Sequence, residues 1–253
     1  MSRVKGYNEP WFNLSAQERE APVTDVAATN VTSREAVRAA RVDARVQRRR
    51  RQILEAATHL MQQSGFHAMS MQSVAEEARI SVGLIYQYFG NKEDLLRGVI
   101  VDILEDFREQ IPRAISESDG DPVQRLAAAF RICCQVVDAK RAATNLTYRE
   151  SKTLTAEGLA QIKDLELQTT EPIRQVFREG VAAGVFIDVD PRLVVHNLLL
   201  TAHGWALKYW NLGRWFTLDE YIDQEFALLL ASVRATTATP NGGPPGLIRS
   251  IPT

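Results

Sequence analysis

Arginines recur along what would be one face of a helix near the N-terminal end of the sequence. Their guanidinium groups stay charged and match phosphate oxygens in geometry. The spacing of four and three residues is that of one helical face and joins Arg34, Arg38, Arg41, Arg45 and Arg48, with Arg49 to Arg51 completing the run. The stripe has two interpretations. It is either an arm that follows a nucleic-acid backbone or enters its minor groove, or a solvated and partly disordered arm.

The charges of the chain are divided unevenly, although the net charge of its 253 residues is only −1. Residues 34–97 carry eleven basic and seven acidic side chains, a sum of +4. Residues 98–253 carry sixteen basic and twenty acidic side chains, a sum of −4, and residues 1–33 sum to −1. A basic module joined to a mildly acidic one indicates that one end binds a polyanion while the rest has another task.

The cysteines and two of the histidines are the remaining candidates for chemistry. Cys133 and Cys134 are adjacent, so on a helix they point about 100° apart and make a poor disulfide pair. They are interpreted as small buried hydrophobes, with a redox switch as the alternative. His196 and His203 would share one helix face, but a metal site needs more ligands, so we expect a packed or interface pair and no metal.

The sequence carries no recognisable motif for catalysis or for membrane insertion. The sequence has no Gly-rich phosphate loop, no nucleophile elbow and no metalloprotease helix motif, so we expect neither an enzyme nor a cofactor. The first residues lack an apolar signal core, and the apolar runs are too short to span a membrane. The sequence therefore predicts a cytoplasmic protein.

The elements that would position these residues are helices throughout, so the predicted fold class is all-α. The first four predicted helices are 53–64 with Gly65 as its terminator, 71–78 capped by Ser70, 82–89 capped by Ser81, and one capped by Asn91 that ends near Pro112. The later ones are a helix from Pro122 with Leu126, Phe130, Cys133 and Val137 inward, then 144–154, 157–183 with a kink at Pro172, 191–212 and 219–233.

The element pattern divides the chain into four parts. Residues 1–45 are predicted to be a flexible leader, irregular up to residue 33, followed by the Arg-rich arm, and residues 46–97 to be a three-helix bundle with a helix-turn-helix. Residues 98–234 would form a larger helical domain, and residues 235–253, rich in Thr, Pro and Gly, a disordered tail. Two short helices after a bracing helix are the arrangement of a DNA-reading head.

The stretch SMQSVAEEARISVGLIYQYFGNKEDLL, residues 70–96, resembles the signature of the TetR family of transcriptional regulators. The aromatic residues Tyr86, Tyr88 and Phe89, followed by Asn91-Lys92 and Leu95, fall at the spacing of that family. The resemblance implies that the helix after Ser81 enters the major groove. It assigns DNA contacts to Ser70, Ser81, Val82, Gly83, Leu84, Tyr86, Gln87, Tyr88 and Lys92, and we add Arg79 from the turn and Arg48 and Arg51 from the stripe.

These implied contacts have different chemistry. Gln87 is the candidate for reading adenine, because an amide can pair bidentately with that base. Tyr86, Tyr88 and Ser70 would hold phosphates. Lys92 stands in the first turn of a helix, where the helix dipole disfavours a cation unless a phosphate docks there, and the alternative is that it points into water.

One position departs from the family pattern, because Arg79 stands in the turn where the family usually has glycine. If the backbone there needs a positive φ, arginine costs about 1 kcal/mol relative to glycine. Either the turn avoids that region or Arg79 makes a phosphate contact that offsets the strain.

The larger helical domain resembles the family's ligand-binding and dimerisation domain, and more specifically the branch that senses acyl-CoA thioesters, through YRESK, GVFIDVDPRLVVHNLLL and WALKYWNLGRWF. The last two long helices would form the dimer, with Leu193, Val194, Leu198, Leu200, Leu207, Phe226, Leu229 and Leu230. The resemblance implies an apolar tunnel lined by Phe130, Tyr148, Phe177, Trp205 and Tyr209, with Arg149, Lys152 or Lys208 at the CoA phosphates. The alternative is that the aromatics are ordinary core or interface and that the cations are solvated surface.

These features favour a homodimeric repressor that occupies palindromic double-stranded operator DNA and leaves when a small hydrophobic effector biases the helical domain. The family transmits this bias through its fourth helix. The alternative is a ligand-independent architectural or nucleoid DNA-binding protein, for which the long basic arm is the only support.

Overall fold

The computed structural model describes residues 26–118 and 120–235, with side chains from Arg38 onward. The helices are α1 (Val26–Ser64), α2 (Met71–Glu77), α3 (Val82–Tyr88), α4 (Lys92–Glu117), α5 (Pro122–Ala139), α6 (Arg141–Glu150), α7 (Ala156–Ala182), α8 (Pro191–Leu207), α9 (Tyr209–Leu212) and α10 (Leu218–Val233), with a 3₁₀ turn at Ser151–Thr153. Within those ranges the β-structure is limited to one isolated bridge between Phe186 and Arg234. The predicted all-α fold is therefore confirmed.

Residues up to Arg48 form one unit of the chain, and residues from Arg49 form a second. In the first unit residues 26–48 are helical, so the prediction of an irregular leader up to residue 33 is wrong for its last part. A search for apolar periodicity misses this segment because a helix without an apolar stripe leaves no such pattern. The rest of the predicted leader and the predicted tail, residues 1–25 and 236–253, lie outside the described residues.

The two short helices of the second unit, α2 and α3, and the start of α4 share a core with the last turns of α1. Ile53, Ala57 and Met61 form the inner stripe of α1 and have no exposed surface, and Ile85 of α3 is equally buried. Gly65 ends α1 with φ +82°, a conformation that glycine adopts without strain. The predicted caps are present: Ser70, Ser81 and Asn91 each accept a bond from a backbone N–H in the first turn of the helix that follows.

Helix α4 is longer than the sequence pattern predicts. It continues past Pro112 to Glu117, whereas the prediction ended it near that proline. Ile111 before the proline and Ile115 after it are both buried. Burial of apolar surface on both sides offsets the hydrogen bond that a proline removes from a helix.

The larger part of the buried core comes from α4, α5, α6, α7, α8 and α10. The predicted inner side of α5, Leu126, Phe130, Cys133 and Val137, is completely buried. Both cysteines are free and buried, and burial raises the pKa of Cys133 to about 12 and that of Cys134 further. A thiol with so high a pKa is a poor nucleophile, which argues against the redox alternative.

Helix α8 ends earlier than predicted, at Leu207, and the short α9 follows it to Leu212. Lys208 leaves the helical conformation with φ −117°, and its N–H closes the last turn on Gly204 O. Just after this break, the Tyr209 ring lies edge-on to Trp205 and 3.6 Å beneath the Arg141 guanidinium. No helix among the described residues is long and apolar enough to cross a membrane.

Candidate DNA-reading surface and effector cavity

Helix α3 presents one face to the interior and one to the surroundings. Ile85 is fully buried, whereas Tyr86 is 53% exposed and Gln87 and Gly83 are exposed. Val82, Leu84 and Tyr88 are half-buried along the edges of the helix. A Cβ atom built on Gly83 would meet nothing within 4 Å, so open space lies beside the first turn. The side chains that the family resemblance assigns to base and phosphate contacts are thus accessible.

The turn between α2 and α3 is a Schellman motif built around Arg79. The N–H of Ile80 donates to Ala75 O at 3.0 Å, and the N–H of Arg79 donates to Glu76 O at 3.1 Å. Arg79 has φ +52° and is the only residue other than glycine with a positive φ in the described chain. The expected departure from glycine therefore carries real backbone strain, of about 1 kcal/mol. The Arg79 side chain is exposed.

Lys92 does not simply point into water. Its Nζ donates to His67 O at 3.2 Å and lies 4.9 Å from the centroid of the Phe66 ring. The lysine thereby ties the first turn of α4 to the loop between α1 and α2. The acidic side chains of Glu93 and Asp94 in the same turn interact favourably with the positive end of the helix dipole.

The cap serines and the arginines differ in how many of their hydrogen-bonding groups are already bonded within the chain. Ser70 forms a capping box with Ser73, while Ser81 accepts only from Leu84 N at 3.3 Å. Arg48, in the first unit, and Arg51, in the second, are exposed. Arg50 is engaged instead, 3.4 Å from Glu105 and 3.6 Å from Asp102 of α4.

A cavity lies among α4, α6, α7 and α8. Its empty volume is about 530 Å³, including the space at its open mouth. Apolar side chains form most of the wall, chiefly Ile100, Ile103, Leu104, Phe107, Ile162 and Leu199. Helix α4 supplies four of these six, so the helix that begins at the reading head also forms a wall of the cavity.

The polar groups of the cavity are uncharged except at one edge. Tyr148 Oη and His203 Nδ1 are hydrogen-bonded at 2.8 Å. Burial lowers the pKa of His203 to about 4 and raises the pKa of Tyr148, so both are neutral near pH 7. Glu166 lines the cavity from an exposed position and is its one anionic group. Thr144 lines it too and is buried.

Of the predicted tunnel residues, the structure places only Tyr148 in this cavity. Phe130 and Phe177 lie in the closed core, stacked on Phe226 and Phe186 respectively. Trp205 is also buried, and its Nε1 donates to Asp138 Oδ1 at 2.7 Å. Large aromatic rings fill the core because they bury the most apolar area, which is why the sequence pattern cannot separate them from cavity walls.

The remaining predicted ligand residues do not line the cavity. Tyr209 is on the surface beneath Arg141, and Lys152 and Lys208 are exposed. Arg149 is bound elsewhere, since its Nη2 donates to Met61 O in the last turns of α1 at 2.6 Å. The residues missed by the sequence prediction are therefore the threonines of α6 and α7 and the inner face of α4.

The two histidines of α8 were expected to be a packed or interface pair, and within the chain they do not pack against each other. His203 lies in the cavity wall with Tyr148, while His196 is exposed seven residues earlier. Among the described residues no group of three or more His, Cys, Asp or Glu side chains could hold a metal ion.

Comparison with known proteins agrees with this architecture. Residues 53–99 match the family of bacterial regulatory proteins, tetR family, and residues 119–233 match the tetracyclin repressor-like C-terminal domain. The chain is 39% identical over 202 residues to the HTH-type transcriptional regulator HbdR of Aromatoleum sp. (strain CIB), covering 79% of this chain and 88% of the relative. The chain belongs to the TetR family of transcriptional regulators.

Two solved structures illustrate the likeness. The ketosteroid transcriptional regulator KstR2 of Mycobacterium tuberculosis shares the fold with a TM-score of 0.59 and 22% identity, over 74% of this chain and 95% of that one. AibR, solved in complex with isovaleryl coenzyme A and operator DNA, also has a TM-score of 0.59, with 25% identity over 72% of this chain and 98% of that one.

Proposed function

We propose that this TetR-family regulator is a repressor. It binds a palindromic operator as a homodimer and releases it when an acyl-CoA thioester enters the cavity. The observation that carries the proposal is the course of α4. Its first turn is tied to the reading head through Lys92, and its middle turns form a wall of the cavity. One helix therefore contacts both sites, as an element that couples them must.

The DNA half of the proposal rests on the exposed face of α3. Gln87 is proposed to read a base edge, with Val82 and Leu84 touching thymine methyl groups. Tyr86, Tyr88, Ser70, Ser81, Arg79 and Lys92 are proposed to hold the backbone, with Gly83 allowing its close approach and with Arg48 and Arg51 adding charge. The operator of such a dimer has half-sites about 34–36 Å apart.

The dimer is proposed to form through α8 and α10. Leu193 and Leu200, seven residues apart on α8, are 59% and 44% exposed, and Leu228 on α10 is 67% exposed. Val194 and Leu198, which were also predicted for the dimer, are instead buried within the chain. A paired Leu193→Glu and Leu200→Glu variant should be monomeric by light scattering. Leu167→Glu, at a similarly exposed leucine of α7, is the matched control.

The effector class is supported by the apolar cavity and by the likeness to AibR, whose structure contains isovaleryl coenzyme A. The cavity is proposed to hold the acyl group, with the CoA moiety outside it. Lys152 and Lys208 are exposed cations available to its phosphates, whereas Arg149 is engaged with Met61 O. We assign no catalytic step to the protein.

A footprint on the chain's own upstream DNA, with and without isovaleryl-CoA and longer acyl-CoAs, tests the function. We expect protection of one short palindrome that is lost when an acyl-CoA binds. Gln87→Ala should abolish the sequence preference, while Gln135→Ala, at an exposed position of α5, should not. Retained protection with every acyl-CoA would contradict the effector class alone.

The architectural alternative predicts a ladder of complexes on any DNA. It also assigns the binding energy to the arginine stripe, so deletion of residues 1–45 separates the two. A repressor lacking the arm should still find its palindrome, with weaker binding and a flatter dependence on salt. An unchanged salt slope would show that the arm makes no phosphate contacts.

A further inference from the structure

One buried hydroxyl of the cavity has no hydrogen-bond partner. Thr144 is 3% exposed and lines the cavity, and its Oγ1 bonds to nothing within the described chain. The other buried atom without a partner is Arg174 Nε, whose guanidinium is already bonded through both Nη atoms to Thr170, Glu171 and Leu167 O. A buried hydroxyl without a partner costs about 1–3 kcal/mol, so Thr144 stands out.

The neighbouring threonines show that this state is not forced by the fold. Thr147, on the same helix, donates to Ala143 O at 2.9 Å. Thr169 and Thr170 of α7 donate to Glu166 O at 3.0 and 2.9 Å. All three also line the cavity, and each has satisfied its hydroxyl proton on its own helix backbone. Thr144 alone among them keeps its hydroxyl free to donate to the contents of the cavity.

The charge of the cavity limits what that hydroxyl can bind. Its lining includes no lysine or arginine, and its one anionic group is Glu166. A carboxylate in the cavity would find no counter-charge and would be repelled by Glu166, at a cost of several kcal/mol for an ion without a partner. An uncharged oxygen on an otherwise apolar group fits this environment, whereas a carboxylate does not.

We infer that Thr144 Oγ1 donates to an uncharged oxygen of the effector. This oxygen is either the thioester carbonyl or a hydroxyl or keto substituent of the acyl group. The inference rests on the proposed function for the CoA part and on the cavity for the rest. It makes Thr144 a specificity-determining residue, because a site that holds a hydrogen-bonding group rejects an analogue lacking the matching oxygen.

Matched probes and variants test this inference by calorimetry. Hexanoyl-CoA against S-hexyl-CoA reports on the carbonyl, and 3-hydroxyhexanoyl-CoA against hexanoyl-CoA reports on a substituent. We expect the wild-type protein to prefer the oxygen-bearing member of one pair by about tenfold. Thr144→Val should lose that preference, Thr144→Ser should keep it, and Thr147→Val, whose hydroxyl is already bonded to Ala143 O, should keep it too.

Thermal unfolding without ligand supplies a second measurement. Thr144→Val removes the unpartnered hydroxyl and should raise Tm by about 2–4 °C, whereas Thr147→Val breaks a bond and should not. Should the valine variant fail to fold, Thr144→Ala removes the same hydroxyl. Equal preferences in wild-type and Thr144→Val protein for both pairs would overturn the inference.

The same pairs made as N-acetylcysteamine derivatives separate this inference from the proposed effector class. If the protein binds the N-acetylcysteamine derivatives but not the corresponding CoA derivatives, the CoA assignment is wrong. The preference of wild-type and Thr144→Val protein for the oxygen-bearing N-acetylcysteamine derivative then tests Thr144. If the wild-type protein binds no probe of either kind but still protects its operator, the inference falls together with the effector class while the operator assignment stands.

Discussion

The reading head and the sensing half of this chain treat polar groups in opposite ways. In the reading head, residues 49–99, the interior side chains are apolar, and the informative polar ones, Tyr86 and Gln87, are exposed. The sensing half is residues 100–118 and 120–235. It holds all the buried polar residues of the described chain, and all three of them line the cavity: Thr144, Thr169 and Thr170. The first region presents its chemistry outward and the second keeps it inside.

This difference is the one expected for the two proposed ligands. A duplex is large and charged and can be met only on an outer face, whereas a small apolar effector can displace water from an enclosed site. Thr169 and Thr170 satisfy their hydroxyls on Glu166 O. Thr144, whose hydroxyl has no partner, is therefore the one of the three that we propose is retained for recognition rather than packing. The two regions should therefore respond differently to mutation. In the head, changes of buried residues should lower stability and changes of exposed residues should weaken binding. In the sensing half, a change at the cavity should affect both stability and binding.

The largest expected effect tests that separation within α3 itself. Ile85→Ala removes a fully buried side chain and should lower the free energy of unfolding by about 2–5 kcal/mol. Tyr86→Ala, at the next residue, removes an exposed ring and should leave stability nearly unchanged while weakening operator binding at least tenfold. Urea titrations and operator titrations of both variants give the comparison. An equally large loss of stability in Tyr86→Ala would show that the outer face of α3 is structural.

The next effect is the pH dependence that His203 gives to the sensing half. Burial lowers its pKa to about 4 in the folded chain, against 6.5 when exposed. Between these values the unfolded chain binds the extra proton. Stability is therefore full above pH 6.5 and falls by up to about 3 kcal/mol as the pH is lowered toward 4. His203→Gln can still accept from Tyr148 but cannot be protonated, so its stability should vary less over that range.

His196→Gln is the matched control for this titration, since His196 is exposed on the same helix. Urea unfolding at several pH values between 4.5 and 7 measures all three proteins. An identical slope in the wild-type and His203→Gln proteins would contradict the burial of a neutral imidazole beside the cavity.

The two regions also differ in how far the sequence predicts them. The caps at Ser70, Ser81 and Asn91 and the terminator Gly65 are local signals, and the structure confirms each of them. The wall of the cavity depends instead on which side chains of four helices face one another. Aromatic content therefore pointed to Phe130, Phe177 and Trp205, which fill the core. A threonine such as Thr144 gives no sequence signal, because its role depends on a missing partner.

A smaller effect is expected where the two regions meet. Tyr148 lines the cavity, and Arg149, the next residue, bonds to Met61 O of the reading head. Arg149→Gln should bind effector and operator separately about as well as the wild type. Because α4 still contacts both sites, the variant should lose only part of a coupling that is typically about 1–3 kcal/mol. Operator titrations with and without acyl-CoA measure this, with Arg113→Gln, an exposed partner of Glu117, as the control. Undiminished release in Arg149→Gln would assign the coupling to α4 alone.

The smallest expected effect concerns Arg79, the one residue of the reading head other than glycine that has a positive φ. Arg79→Gly relieves the positive φ at the Schellman turn and should raise the free energy of unfolding by about 1 kcal/mol. If the arginine is retained for a phosphate contact, the same variant should bind the operator more weakly and with a salt slope reduced by about 1. If Arg79→Gly is more stable and its operator affinity and salt slope are unchanged, then Arg79 makes no phosphate contact that offsets the backbone strain. The proposed DNA contacts of the reading head would then exclude Arg79, and those of the turn and α3 would begin at Ser81.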